Sequence, residues 1–326
     1  MNGTQNRLTT TDAAGNYFFD NVETNGIYVI SPSRANFSFS PAQRAFSQLG
    51  AQTEATFTGA ANNSGANPLD TTEYFVRQEY LDFLGREPDE SGFNFWVNNI
   101  ESCGADPGCR EVKRIDTSAA FFLSIEFQHT GYLVYRTYEA AYGNLTGTPV
   151  PLKLNEFASD TGQICNGVVV LQTGWPQKLE DNKRAFMTGF VQRLRFTTAY
   201  PASLTPAQFV DRLFANARID STDPDYTASV SEFGTATDTS DVSARARVLR
   251  RVAENPTLTR LQLNQAFVLM EYFGYLRRDP NSGRDADFSG YDFWLDKLRE
   301  FNGNFENAEM VKAFLSSFEY RGRFPR

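Results

Sequence analysis

Oxygen-bearing side chains at alternate positions near the end of the chain could bind a cation. Asp285, Asp287 and Ser289 precede a glycine, and Asp296 follows it. Calcium loops place oxygen ligands at alternate positions around a sharp glycine turn and end with a later carboxylate. The pattern therefore predicts a calcium site made of these four residues. The alternative is a turn whose acids cap the next helix, because Asp296 stands where such loops carry a bidentate glutamate.

A shorter form of the same segment lies earlier in the chain. The stretches LGREPDESGFNFW and LRRDPNSGRDADFSGYDFW both carry an Arg-acid-Pro triplet, then Ser-Gly, then Trp. Aligned on the glycine, the first copy has an amide, Asn98, in place of the last carboxylate. It is therefore the poorer cation site. Its residues that correspond to the predicted ligands are Glu87, Asp89, Ser91 and Asn98.

We interpret both segments as turns that join two helices. The proline ends one helix, a serine caps the next, and the tryptophan packs inward. Each arginine then fixes its turn through a salt bridge or by binding carbonyl groups, with contact to a ligand as the alternative. The turn residues are Arg86, Pro88, Gly92 and Trp96 in the first copy and Arg278, Pro280, Gly290 and Trp294 in the second.

The cysteines indicate a disulfide and an oxidising environment. Cys103 and Cys109 flank a short loop with glycine and proline, a spacing that closes a small disulfide; two reduced thiols are the alternative. No histidine or further cysteine pair beside them completes a zinc site. Cys165 is interpreted as a lone buried thiol. A disulfide would place the protein outside the cytoplasm.

Catalytic motifs are missing from the sequence, so we expect no enzyme. His129 is the single histidine, and no nucleophile elbow, zinc-protease motif or phosphate-binding loop accompanies it. We expect it at a helix C-terminus, interacting with the last carbonyl groups. A hydrolase that uses two carboxylates is the less favoured alternative, because no spacing singles out a pair among the 39 acids.

Charge and hydropathy exclude two classes of partner. The net charge of −8, without a basic stripe, argues against nucleic acid and against an anionic membrane surface. No segment approaches the roughly 20 apolar residues that a membrane helix needs. The first residues carry no apolar signal region, so we expect any export signal to lie outside this chain.

Residues 1–58 are predicted to be strands. Short runs of strand-forming residues alternate with turn residues, and TTTDAAGNYFF has the turn chemistry of a hairpin. In that hairpin Tyr17 and Phe19 should point to one side and Phe18 to the other. Residues 59–70, rich in Gly, Asn and Ala, are predicted to be a linker.

The stretch TTTDAAGNYFFDNVETNGIYVISPS resembles the small β-sandwich modules of bacterial surface proteins, the Cna-B-like or carboxypeptidase-regulatory-like class. The resemblance covers about the first 58 residues and implies a spacer or stalk. The chain begins too late to contain the family's first strand. A sandwich without that strand would leave an open sheet edge, which can pair with another chain.

From residue 71 onward the hydrophobic period is helical. Thr72, Thr205 and Asp241 are predicted helix caps. Opening helices such as EYFVRQEYLDFLG and closing helices such as AAFFLSIEFQHTGY recur, which predicts about four degenerate repeats over residues 71–326. The Arg-acid-Pro turn and the closing helices FLSIEF and FLSSFEY resemble a helical repeat family of unknown function, common in secreted and S-layer-type bacterial proteins. The resemblance implies an extracellular bacterial protein with no known catalytic activity.

These observations predict an α+β multidomain protein: a small antiparallel β-sandwich without its first strand, followed by a helical repeat domain. We expect an extracellular structural or surface protein that assembles with copies of itself into a filament or lattice. Residues 1–60 would provide the contact, through strand complementation or head-to-tail packing. The alternative is an adhesin or glycan-binding module with a groove between repeats. No cofactor is expected apart from the calcium ion considered above.

Overall fold

Helices form nearly all of the regular structure after residue 67, in a part of the chain whose apolar residues recur with helical period. In this computed structural model the described residues are 1–5, 7–19, 22–47, 49, 54–62 and 65–324. The helices within them are α1 (Thr72–Glu79), α2 (Glu90–Glu101), α3 (Pro107–Leu123), α4 (Ile125–His129), α5 (Gly131–Tyr142), α6 (Leu154–Cys165), α7 (Trp175–Phe190), α8 (Leu194–Ala199), α9 (Pro206–Ala217), α10 (Pro224–Ser231), α11 (Val242–Ala253), α12 (Pro256–Glu271), α13 (Ser289–Glu300), α14 (Met310–Ser316) and α15 (Phe318–Gly322). A short 3₁₀ helix, Pro68–Asp70, precedes α1. Within the described part of the chain, none of the helices has the length and apolar character needed to cross a membrane.

Two of the three predicted caps are confirmed. Thr205 caps α9 by accepting the Gln208 N–H, and Asp241 caps α11 by accepting the N–H groups of two following residues. Thr72 is instead the first residue of α1, and Thr71 is the extended residue before it. The Thr72 hydroxyl donates to the Glu101 carboxylate, so this side chain ties α1 to α2 instead of capping a helix.

The N-terminal region forms two small antiparallel sheets, which confirms the α+β class. The strands are β1 (Asn2–Gly3), β2 (Tyr28–Ile30), β3 (Phe37–Ser40), β4 (Arg44–Phe46) and β5 (Thr58–Ala61). One sheet has the order β1-β2-β4 and the other pairs β3 with β5. β5 occupies the start of the stretch predicted to be a linker, because residues 58–61 pair with residues 37–40. Asn63 and Ser64 of that stretch lie outside the described residues.

Residues 7–19, predicted to be strands of a hairpin, form a tight turn without a strand ladder. The Asp12 carboxylate accepts the N–H groups of Ala14 and Asn16, at 2.9 and 2.8 Å. These side-chain bonds offer the backbone an alternative to ladder pairing. The predicted alternation after the turn agrees with the structure: Tyr17 and Phe19 pack edge to face, and Phe18 is exposed. Asn6, Asp20 and Asn21 of the predicted strands are not among the described residues.

The contacts divide the chain into two compact units. The first comprises Met1–Phe121, Phe273–Arg277 and Asn304–Arg326; the second comprises Phe122–Tyr272 and Arg278–Gly303. Each has an aromatic core: Phe83, Tyr275 and Tyr320 are buried in the first, and Phe122, Phe190 and Phe209 in the second. The domain boundaries predicted at residues 58 and 70 stay a prediction.

Four helices, α4, α8, α12 and α15, each begin directly after one extended residue. We call that residue the joint. The joint residues have φ near −60° and ψ between 132° and 149°, so the backbone there is extended and not helical. The residue three positions later is buried in each case. The joints are Ser124, Arg193, Asn255 and Ser317, and the buried residues are Phe127, Phe196, Leu258 and Tyr320.

Candidate functional site

The two Arg-acid-Pro segments are built on the same backbone. We call Tyr80–Trp96 the first turn and Tyr272–Trp294 the second turn. Each opens with one wide π-helical turn, Tyr80–Leu84 or Tyr272–Leu276. A left-handed residue ends it: Gly85 with φ 63°, and Arg277 with φ 54°. The arginine of the motif follows directly, so its main-chain N–H points back to the carbonyl of the opening tyrosine, at 3.5 Å in the first turn and 3.4 Å in the second.

In the first turn Arg86 holds the loop against Tyr80. Its guanidinium lies 5.0 Å from the centre of the Tyr80 ring, a cation–π distance. It also donates to the Glu87 carbonyl at 3.0 Å and pairs with Asp89 at 3.4 Å. The predicted structural role therefore agrees with the contacts, which combine a salt bridge with a carbonyl bond.

Asp89, not Ser91, caps α2. The Asp89 carboxylate accepts the Gly92 N–H at 2.9 Å, and the Ser91 hydroxyl donates to the same carboxylate at 2.8 Å. Partial burial tends to raise the pKa of Asp89, but the bonds from Gly92 and Ser91 outweigh it and lower the pKa. The predicted serine cap is wrong because the carboxylate, two residues earlier, reaches the helix N-terminus and is favoured there.

In the second turn Arg278 is more deeply enclosed. Its guanidinium lies 5.3 Å from the Tyr272 ring, donates to the Ser282 carbonyl at 2.8 Å, and pairs with Asp285 at 2.7 Å. Its side chain is 5% exposed, against 16% for Arg86. Asp279, from the same loop, accepts the Leu154 N–H at 2.8 Å and so fixes the start of α6.

Both motif glycines are required by close contact with the opening tyrosine. A Cβ at Gly92 would lie 2.3 Å from the Tyr80 hydroxyl oxygen, and one at Gly290 would lie 2.7 Å from that of Tyr272. Ordinary Cβ contacts are longer than 3.4 Å. The sequence placed these glycines in the turn but gave no sign that a tyrosine ten or more residues earlier excludes a side chain.

The motif tryptophans anchor their helices only partly. Trp96 and Trp294 are each half-buried and pack edge to face on an exposed phenylalanine, Phe95 or Phe293, at 4.9 and 5.0 Å. Trp96 also meets the buried Phe121 at 5.9 Å. Pro88 and Pro280 lie in the loops after the π-helical turns, four residues beyond the last residue of each.

The second turn does not assemble the predicted calcium ligands. Asp285 binds Arg278, Asp287 accepts the Ser289 N–H at 2.9 Å, and Asp296 pairs with Arg299 at 3.3 Å. Ser289 is the first residue of α13, after Phe288. Within the described residues, no group of three or more His, Cys, Asp or Glu could hold a metal ion. Of the alternative, a turn whose acids cap the next helix, the structure shows the bond from the Ser289 N–H to Asp287, while the other two acids pair with arginines.

A disulfide closes the loop between α2 and α3. Cys103 and Cys109 are bonded, with Cα atoms 5.6 Å apart. Arg110 beside them pairs with Glu101 at 2.6 Å, so the end of α2 and the start of α3 are tied twice. Cys165, at the end of α6, is not part of a disulfide and is half-buried.

Glu79 and Glu139, buried acids of α1 and α5, have raised pKa values that the sequence did not reveal. Burial, reinforced by Asp82, raises the pKa of Glu79 to about 8, although Ser118, Tyr275 and Arg114 act in the opposite direction. The Tyr275 hydroxyl donates to Glu79 at 3.3 Å.

Glu139, in α5, is the second of these acids. Burial raises its pKa to about 7 although Arg218 lies 3.2 Å away. Gln262 donates to the same carboxylate at 3.0 Å. Both glutamates are therefore neutral over part of the physiological pH range. A buried, neutral acid is also a feature of some catalytic sites. Here Glu79 is hydrogen-bonded to Ser118 and Tyr275, and Glu139 is hydrogen-bonded to Gln262.

His129 is the last residue of α4, as predicted, but its partner is a cation. Its Nδ1 lies 3.1 Å from the Lys183 Nζ, which also binds Glu254 at 2.9 Å. Partial burial and then the charge of Lys183 lower the pKa of His129. A neutral histidine in that setting accepts a hydrogen bond from the lysine ammonium, so the contact does not resemble a base that activates a serine or cysteine.

Residues 56–130 match a family model described as a domain of unknown function (DUF4214). The match covers β5, the first turn and all four helices that precede Gly131. Neither a curated protein nor a solved structure matches the chain. The matched family carries no stated activity, so function has to be inferred from the molecule itself.

Proposed function

We propose that this is an extracellular bacterial structural protein that assembles with copies of itself through residues 1–60. The observation that carries the proposal is the state of the N-terminal sheets. Among the described residues, β3 and β5 pair only with each other, and β4 pairs only with β2. Sheet edges of this kind are templates for pairing with a strand of another chain.

The N-terminal region also has little core of its own. Among its described residues, Tyr28 is the one fully buried hydrophobic side chain before Leu69. All four residues of β5 are exposed. So few buried apolar groups give a small region little independent stability, and pairing with a neighbour would add what its own core lacks.

The disulfide supports the proposed location. Disulfides persist in oxidising compartments and are rare in the cytoplasm. The Cna-B-like and S-layer-type resemblances point to the same setting. We propose that the helical part, with its four joints and about four degenerate repeats, is the body of the subunit and the sheets are its connector.

The proposal is tested by size measurement and electron microscopy of the full chain over a range of concentrations. The wild-type protein should form oligomers or filaments as its concentration rises. Lysines on β5, in a Thr58→Lys, Ala60→Lys double variant, should reduce assembly because charge on an edge strand blocks further pairing. Ser231→Lys, on an exposed helix end, is the matched control. A wild-type chain that stays monomeric up to millimolar concentration would overturn the proposal.

A glycan-binding role is the second candidate, supported by the exposed Phe–Trp pairs. Each pair presents an aromatic face at the same position of its turn. A Phe95→Ala, Phe293→Ala variant should lose binding on an array of bacterial and host glycans while keeping its secondary structure. An array on which the wild-type protein gives no signal would remove this candidate.

A further inference from the structure

Arg277 grips a loop from the N-terminal region. Its guanidinium donates to the main-chain carbonyls of Thr11 at 3.1 Å, Thr10 at 3.4 Å and Phe273 at 3.3 Å. Its own carbonyl accepts the Ala13 N–H at 2.7 Å. All these residues belong to the same compact unit. We call this set of four bonds the Arg277 clasp.

The bound loop is a preformed turn. The Asp12 N–H donates to the Asn16 carbonyl at 2.9 Å, and the Gly15 N–H donates to the Asp12 carbonyl at 3.0 Å. With the two bonds to the Asp12 carboxylate, they fix residues 12–16 in one shape. We call residues 10–16, which include the two carbonyls that Arg277 binds, the Asp12 turn. A rigid turn that offers adjacent carbonyl groups loses little entropy when a guanidinium binds it.

The clasp belongs to the second turn alone. The equivalent residue of the first turn is Gly85, which has the same left-handed backbone, and a Cβ there would meet nothing within 4 Å. A left-handed arginine is conformationally unfavourable, and this one is only 7% exposed. Burial lowers its pKa to about 10, although Asp82 and Asp12 act in the opposite direction. Burying a cation costs free energy of solvation. The described hydrogen bonds of the Arg277 guanidinium all go to main-chain carbonyls, so a role in holding a peptide segment explains why this cost is tolerated.

We propose that the Arg277 clasp is the docking site for the Asp12 turn of a second copy of this chain. This inference rests on the proposed self-assembly and names the contact that would carry it. The contacts seen within one chain would close equally well between chains, because exchange of an identical element creates the same bonds.

Release of the region from its own chain would break the clasp and the bond from the Arg34 guanidinium to the Arg323 carbonyl. The stretch between β5 and the 3₁₀ helix is short and includes Gly65 in a left-handed conformation, with φ 82°. Because the N-terminal region has so little buried core, its exchange leaves the helical cores intact.

Two variants and their mixture test the inference. Arg277→Ala removes the guanidinium but leaves the Asp12 turn intact. Ala13→Pro removes the N–H that bonds to Arg277, at an exposed position outside every helix and strand. Thr11→Ala is the control, since the clasp uses only the carbonyl of that residue. Circular dichroism and melting curves show whether each variant is folded. Arg277→Lys keeps the positive charge but removes the planar guanidinium, and so tests whether charge alone supports assembly.

Each variant alone should remain monomeric at concentrations where the wild-type protein and Thr11→Ala assemble. Their equimolar mixture should yield dimers that do not grow, because an intact turn on the Arg277→Ala chain meets an intact Arg277 on the Ala13→Pro chain. If the wild-type chain assembles and both variants assemble equally well, the clasp is not the contact, although self-assembly stands. If both variants are monomeric and the mixture is too, the clasp acts within one chain and docking between copies is refuted. A monomeric wild-type chain would refute self-assembly and this inference together.

Discussion

The first and second turns share the packing of a tyrosine, an arginine and a glycine, but they differ in the loop that joins the arginine to the glycine. In both, a tyrosine, an arginine and a glycine meet in the same way, with the cation on the ring and the hydroxyl over the glycine. The loop from arginine to glycine is longer in the second turn, which runs from Arg278 to Gly290 instead of from Arg86 to Gly92. The longer loop encloses its arginine more completely. The recurring part is therefore the packing of three side chains, and the intervening loop is free to vary.

The acids show how the same composition takes different roles. In the first turn one residue, Asp89, both pairs with the arginine and caps the helix. In the second turn these tasks are divided: Asp285 pairs with the arginine and Asp287 accepts the N–H at the helix start. Alignment on the glycine equates Asp89 with Asp287, but the partner of the arginine is shifted by two residues.

Removal of the two arginines should show the largest difference between the turns. Arg278→Ala should lower the free energy of unfolding by about 3 kcal/mol, because it leaves buried carbonyls and Asp285 without their donor. Arg86→Ala should cost about 1 kcal/mol, since its ion pair is weaker and more exposed. Urea unfolding of both variants measures the difference. An equal loss of unfolding free energy in the two variants would mean that the longer loop of the second turn adds no stability to the arginine contacts.

Side chains at the two glycines should give the next largest effect. Gly92→Ala should cost about 2 kcal/mol and Gly290→Ala about 1 kcal/mol, in the order of their approach to the tyrosine hydroxyl. Adding Tyr80→Phe to Gly92→Ala should recover part of the loss because it removes the blocking oxygen. Gly162→Ala, in α6 with open space around it, should stabilise by up to about 1 kcal/mol. A Gly92→Ala variant as stable as Gly162→Ala would disprove the contact.

The buried acids Glu79 and Glu139 should make the stability of the protein depend on pH. An acid whose pKa is raised in the folded protein binds its proton more tightly in the native state than in the unfolded chain. Its contribution to stability is therefore complete below the pKa of the unfolded chain, 4.5, and is lost as the pH rises to the pKa of the folded protein. For Glu79 this loss should run to about pH 8, and for Glu139 to about pH 7. Glu79→Gln and Glu139→Gln should each flatten the fall of the melting temperature over its own range. Glu300→Gln, an exposed acid, is the control.

Calcium should have the smallest effect. Because the predicted ligands of the second turn already bind Arg278, the Ser289 N–H and Arg299, EDTA or added Ca²⁺ should leave the melting temperature unchanged. Differential scanning calorimetry with and without the ion is the measurement. A rise in melting temperature with Ca²⁺ that Asp285→Asn abolishes would restore the cation site.

Sequence predicted the features that depend on local pattern. The helical period, the caps Thr205 and Asp241, and the duplicated turn were all readable from spacing. It misplaced the cap of α2 because Ser91 and Asp89 are both good capping residues, and only the geometry of the turn decides between them. It also missed the tyrosine–glycine contact and the neutral Glu79, since both arise from packing between residues far apart in the chain. The ion pair of Asp285 was missed for a related reason: an alternating acid pattern does not show which acid an arginine elsewhere in the loop will bind.

The extended joint at Asn255 has a consequence for how a load passes along the chain. After the joints Ser124 and Arg193 the short helix ends within six residues, and a new helix begins after Thr130 or after residues 200–205. After Asn255 the helix continues through α12 to Glu271 without a break, about 24 Å of unbroken hydrogen bonding. We therefore expect a pull on this part of the chain to open the breaks at 130 and 200–205 first. We expect α12 to resist extension more than the shorter, interrupted helices of its unit.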